Sequence, residues 1–92
     1  MKSYMGNGKH YVYILRCNDG TYYTGYTNDL EKRLNKHQAG KGAKYTRGRT
    51  PVQLIFSQEY DTKTEAMHAE YRIKQLTREQ KEAYINKKIS VT

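Results

Sequence analysis

Five side chains in this sequence have the types and surroundings to do chemistry: Tyr13, Tyr23, Arg33, His37 and Glu70. A carboxylate can hold a hard cation. A histidine can take a proton near neutral pH, and a guanidinium matches phosphate oxygens with a planar fork. A phenol is a poor base at its ordinary pKa near 10 unless cations or a metal lower it, a field that Arg33, Lys44 and a metal on Glu70 could supply. Such a set could hold a metal, bind a phosphate and move a proton. Each member also has an ordinary structural reading. His37 would be a core histidine with a satisfied hydrogen bond, Arg33 a snorkelling side chain, Glu70 an ion-pair partner, and the tyrosines simple packing.

Helix phase places three of them. At about 100° per residue, Leu30 and Leu34 define the apolar stripe of a first helix. His37 falls roughly 40° from the centre of that stripe and Arg33 roughly 80°. Arg33 and His37 are also four residues apart, so they are neighbours on the helix surface. On a later helix Ala66, Ala69, Ile73 and Leu76 form the stripe, and Glu70 sits roughly 80° from its middle. Arg72 and Lys74 read as a solvated face. Two phosphate-capable groups beside one buried face, and a carboxylate beside another, suggest the walls of a pocket.

The elements that must position these residues are legible in outline. His10 to Arg16 is a β-branched and aromatic run, apolar on both faces, and reads as a central strand. Thr21 to Thr27 reads as a second strand after an Asn18-Asp19-Gly20 turn. A two-residue Asp19-Gly20 loop would pair Asn18 with Thr21. A three-residue loop with Gly20 as a left-handed bulge would pair Cys17 with Thr21. Only the second puts Tyr13 opposite Gly25, with Tyr13 and Tyr23 on one side, because a slip of one residue reverses every side chain. The residues alone leave both registers open. Gly25 inside a strand costs stability and implies close approach of a neighbour or ligand.

Asn28 and Glu31 form a capping box that opens a helix to about Ala39, with Gly40 as its stop. Residues 40–51 form a loop that carries Lys41, Lys44, Arg47 and Arg49 and no acid, with Tyr45 able to stack on a base. Val52 to Tyr60 reads as a third strand, with Val52, Leu54 and Phe56 alternating. Capping boxes at Thr62/Glu65 and Thr77/Gln80 open helices to about Gln75 and about Lys88. The order predicts an α+β domain, a three-stranded antiparallel sheet flanked by three helices (β-β-α-β-α-α). Residues 1–9 read as a flexible leader, 10–88 as the domain, and 89–92 as a tail.

Composition narrows the partners. The 92 residues carry a formal charge of +8, which favours a polyanion, nucleic acid before anionic membrane. No apolar run approaches the roughly 20 residues of a spanning helix, and the first ten lack a hydrophobic signal region. Cys17 is the sole cysteine, so neither an internal disulfide nor a cysteine-rich zinc site can form. These features suit the reducing cytoplasm.

The pieces together resemble the GIY-YIG nuclease family. Its first signature corresponds to Tyr11-Val12-Tyr13 and its second to Tyr23-Thr24-Gly25. Lys32-Arg33-Leu34 and His37 match the family's helix pattern. Ala69-Glu70-Tyr71-Arg72-Ile73-Lys74 resembles the segment with the metal-binding glutamate. The likeness covers about residues 10–76 and is greatest to small stand-alone bacterial members. Tyr11 replaces the leading glycine of the first signature, and Thr24 the isoleucine of the second. The resemblance implies the three-residue turn, with both motif tyrosines on the active face. It also implies an endonuclease that acts on nucleic acid, DNA favoured, in repair or processing. Glu70 would hold Mg²⁺ or Mn²⁺, Tyr13 would help deprotonate water, and His37 would be an alternate base or relay. Arg33 would stabilise phosphoryl oxygens, and Tyr23 would position phosphate or water. The alternative is a non-catalytic nucleic-acid-binding domain with the same charge and loop.

Overall fold

The computed structural model describes residues 9–90, with side chains through residue 88. Most of the expected leader, 1–8, and the end of the expected tail, 91–92, lie outside the described residues. The chain forms β1 (His10–Arg16), β2 (Tyr22–Thr27), α1 (Leu30–Gln38), β3 (Gln53–Tyr60), α2 (Lys63–Lys74) and α3 (Arg78–Ser90). The sheet is antiparallel, in the order β2-β1-β3, with β1 central as its two-faced apolar run requires. Helix α3 runs to Ser90, so residues 89 and 90 extend the last helix and do not belong to a tail. Among the described residues no helix is long and apolar enough to cross a membrane.

The hairpin takes the three-residue turn. The Cys17 amide donates to the Thr21 carbonyl at 2.8 Å, and Gly20 closes the turn at φ +85°, a conformation that glycine adopts without steric cost. Tyr13 therefore pairs with Gly25. A Cβ at Gly25 would lie 2.5 Å from the Tyr13 hydroxyl, so the missing side chain is where the phenol sits. Helix α1 starts one residue later than its sequence suggests. Asp29, not Asn28, is the cap: its carboxylate accepts the Lys32 amide at 3.1 Å. An ionised acceptor is the stronger one there, and the Thr27 hydroxyl takes the Asp29 amide at 3.1 Å in place of Glu31. The other two caps form as expected, at Thr62 to the Glu65 amide and reciprocally between Thr77 and Gln80.

The two faces of the sheet bury different things. Val12, Ile14 and Phe56 pack against Ala66, Ala69 and Ile73 of α2 and Ile85 of α3. Tyr13, Leu15, Cys17 and Val52 lie on the other face, with Tyr23, Leu30 and Leu34 against them. The expected alternation of β3 is interrupted. Ile14 pairs with Phe56 but Leu15 pairs with Leu54, so Ile55 is an extra residue and the strand bulges there. That bulge puts Val52 and Phe56 on opposite faces. Gln38 fixes the start of β3 by bonding both the Val52 carbonyl (2.6 Å) and the Val52 amide (3.0 Å). At the other end of β1, Lys9 bridges Glu59 (3.3 Å) and Asp61 (3.0 Å).

Gly25→Ala should push the Tyr13 ring out of its seat. The expected cost is about 1–3 kcal/mol, the usual penalty for overpacking a core. A urea unfolding curve measures it, and an unchanged midpoint would show that the phenol has room to yield.

Candidate active site

The active-face residues come from four separate segments. Tyr13 is on β1, Tyr23 on β2, Arg33 and His37 on α1, and Thr46 in the 40–51 loop. The loop is not featureless: Lys44–Thr46 form a single 3₁₀ turn that buries Thr46 against α1. Tyr13, His37 and Thr46 are each fully buried. A methyl at Gly42 would collide with the His37 ring, so the loop backbone closes directly over the imidazole.

A hydrogen-bond chain links these groups. The Thr46 hydroxyl has one proton and donates it to the Ala43 carbonyl at 3.0 Å. It must then accept from His37 Nδ1, 2.8 Å away. That assignment puts the proton of neutral His37 on Nδ1 and leaves Nε2 as an acceptor. The Tyr13 hydroxyl, 2.9 Å from Nε2, is the donor to it. Arg33 Nε in turn donates to the Tyr13 oxygen in a long bond of 3.4 Å. Tyr13 thus already points its proton at a base, and its oxygen lone pair faces a cation.

The electrostatics follow from burial. His37 is held down to about 4, first by desolvation and then by the Arg33 charge. Burial also raises the Tyr13 phenol above its ordinary value and outweighs the Arg33 hydrogen bond that lowers it. Among the protein's own groups, desolvation outweighs the Arg33 field at Tyr13, and Lys44 is exposed. Tyr13 can move a proton only by passing one on.

Glu70 stands on α2 and is half-buried, its carboxylate side chain 13% exposed. Its charge acts on the Tyr13 phenol. Lys74, one turn along α2, reaches Glu70 Oε2 at 3.2 Å, so Lys74 is a partner of the carboxylate as well as a solvated residue. Lys74 is half exposed, so its end of the pair can open to solvent and the carboxylate can take a stronger cation. Among the described residues no group of three or more His, Cys, Asp or Glu side chains is placed to hold a metal. A single carboxylate fits a hard divalent ion that keeps most of its water, and does not fit a structural zinc or calcium cage.

The basic loop divides in two. Lys41, Lys44 and Arg47 are exposed. Tyr45 stacks on Tyr23 with ring centres 5.9 Å apart, and Arg49 covers Tyr45 at 4.3 Å. Arg49 is also tied to Asp19 at 2.9 Å and to the Tyr45 carbonyl at 2.8 Å, so it fastens the loop to the hairpin turn. The structure therefore gathers Tyr13, Tyr23, Arg33 and His37 in direct contact or near it, with Glu70 alongside. Thr46 and Gln38 escaped the sequence reading: one is an uncharged residue among the cations of a basic loop, the other an exposed glutamine on a helix.

His37 links the site to pH. Its folded pKa lies below its unfolded value near 6.5, so the unfolded chain binds the extra proton between about 4 and 6.5. This contribution is fully present above pH 6.5 and is lost as pH falls toward 4. A lowering from 6.5 to about 4 amounts to roughly 3 kcal/mol. Denaturant melts at pH 7 and pH 4.5 should show a loss in the native chain that His37→Gln lacks. Equal losses in the two would remove the histidine from the pH response.

Known proteins bear on this arrangement. A sequence model described as the GIY-YIG catalytic domain matches residues 9–83. A UPF0213 protein from Halobacterium salinarum is 64% identical over 74 residues, covering 80% of this chain and 96% of its own length. One from Bacillus subtilis is 54% identical over 84 residues, covering 91% and 85%. The solution structure of a UPF0213 protein from Bacillus halodurans superposes with a TM-score of 0.60 at 51% identity, covering 90% of this chain and 88% of the other. A protein from E. faecalis gives 0.62 at 47%, covering 86% and 84%. With most of its length matched and the signature tyrosines on one face, this chain belongs to the GIY-YIG catalytic domain family.

Proposed function

We propose that this protein is a metal-dependent endonuclease that hydrolyses phosphodiester bonds in nucleic acid, with DNA the favoured substrate. The hydrogen-bond chain from Arg33 through Tyr13 and His37 to Thr46, beside the Glu70 carboxylate, is the observation that carries this reading. A guanidinium bonded to the buried phenol, with a carboxylate alongside, is more than the packing of a core histidine requires.

Arg33 is half-buried over the Tyr13 oxygen, and a phosphoryl oxygen is a stronger acceptor than a phenol. When Arg33 turns to a phosphate, the Tyr13 lone pair is freed. Water attacking phosphorus passes its proton to Tyr13, whose own proton moves to His37 Nε2. The oxygen–phosphorus bond forms as the bond to the 3′ oxygen breaks, and that oxygen takes a proton from solvent. The same event makes His37 a better base, because the phosphate neutralises the charge that helps to hold its pKa down. Thr46 keeps the Nδ1 proton in place throughout. A magnesium or manganese ion held by Glu70 and completed by water and phosphate oxygen would supply Lewis-acid stabilisation. Tyr23 borders both Tyr13 and His37 and orients the bound group.

Glu70→Ala should abolish metal-dependent nicking while its melting curve keeps a cooperative transition. Unchanged cutting would remove Glu70 from the reaction. Tyr13→Phe should lower kcat roughly 10²–10⁴-fold, the range of positioned acid–base groups. The acid limb of kcat/KM, which reports the free protein, should lie nearer pH 4 than 6.5, and that of kcat should lie higher. Thr46→Val should lower kcat and move this limb, and Thr46→Ser should restore both. Metal-dependent assays on duplex, single-stranded and branched DNA decide between enzyme and pure binder, since a binder would cut none.

A further inference from the structure

A second group of basic and aromatic side chains gathers at the open edge of the sheet. Strand β2 is an edge strand, and a cavity of about 220 Å³ beside it is walled by Tyr22, Tyr23, Thr24, Tyr45, Lys74 and Lys81. Typical enclosed ligand sites measure about 300–1,000 Å³. This one is smaller, which suits one unit of a polymer better than a free metabolite.

The charge in it is unbalanced. Lys74 comes from α2 and Lys81 from α3, brought together by the turn between the two helices. Glu70 pairs with Lys74, and among the described residues no carboxylate pairs with Lys81. Lys81 is half-buried, and burial and the Lys74 ammonium both lower its pKa. A desolvated ammonium beside a second one gains most from an anion that both can contact. Tyr23 and Tyr45 are already stacked, and they offer an aromatic wall. Thr24 is buried, and its hydroxyl is the one buried side-chain polar atom among the described residues without a hydrogen-bond partner.

We propose that this edge cavity is a subsite for the nucleotide next to the scissile one, with its phosphate between Lys74 and Lys81 and its sugar or base against Tyr23 and Tyr45. The cavity shares Tyr23 with the Tyr13–His37 centre, and Lys74 ties it to Glu70, so a single strand of phosphodiester backbone can reach both. The ligand's identity rests on the nuclease reading; the site itself does not require cleavage.

The test is binding of a labelled oligonucleotide to the full chain in chelator across a range of salt. Each phosphate contact contributes about 0.7–0.9 to the slope of log K against log salt. Lys81→Ala should weaken binding and reduce the slope by about 1. Lys81→Arg keeps the charge and should retain the slope, which separates lost contact from lost fold. In an NMR titration with the same oligonucleotide, the amides of residues 22–24, 74 and 81 should shift. A Lys81→Ala chain with native affinity and slope, or shifts confined to the 40–51 loop, would overturn the subsite. Because no metal is added, absence of cutting in other assays would count against the nuclease reading and leave this result standing.

Discussion

The arrangement depends on how one imidazole is buried. His37 can lie at zero exposure only if both ring nitrogens are satisfied, because an unpaired buried polar group costs on the order of 1–3 kcal/mol. Tyr13 satisfies one nitrogen and Thr46 the other. The first partner, Tyr13, comes from the central strand and the second, Thr46, from a loop 33 residues further on, so β1, α1 and the 40–51 loop are locked by the same two bonds. Gly25 and Gly42 leave the room in which this happens. The groups that could do chemistry are therefore also those that hold the active face together.

Burial and reactivity pull in opposite directions here. Desolvation keeps His37 neutral and Tyr13 protonated in the resting protein. Neither is a strong base while Arg33 lies over them without an anion. The same low-polarity setting makes each hydrogen bond in the chain count for more. In the proposed reaction a phosphate that drew Arg33 away would change the local charge at one step, so substrate arrival and base activation would be the same event.

Much of this was legible in the residues, for reasons that differ by element. The doubly apolar His10–Arg16 run could only be central, and the phase of α1 placed His37 inward and Arg33 on the flank. Glu70 was likewise visible at the edge of the α2 stripe. The hairpin register was not, because Asn18-Asp19-Gly20 fits two turns, and only the family resemblance favoured the one found. The α1 start slipped by one because Asn28 and Asp29 can both cap. The Ile55 bulge has no mark in a run of β-formers, and it alone decides that Val52 faces the site. Thr46 carried no signal, since its burial comes from tertiary packing of a loop. Lys74 read as a solvated residue by helix phase, which is blind to Lys81 on another helix.

The ion pairs of Lys9 mark one end of the central strand, where Glu59, Asp61 and Glu65 gather around a shallow hollow. The exposed lysines and arginine of the 40–51 loop mark the other, where the Asn18 amide meets the Arg49 carbonyl. Among the described residues exposed cations gather at the loop end of β1, while the acids at the other end are met by Lys9 and bordered by Arg72. A polyanion drawn by the net charge of +8 would meet most of that exposed positive charge at the loop end first.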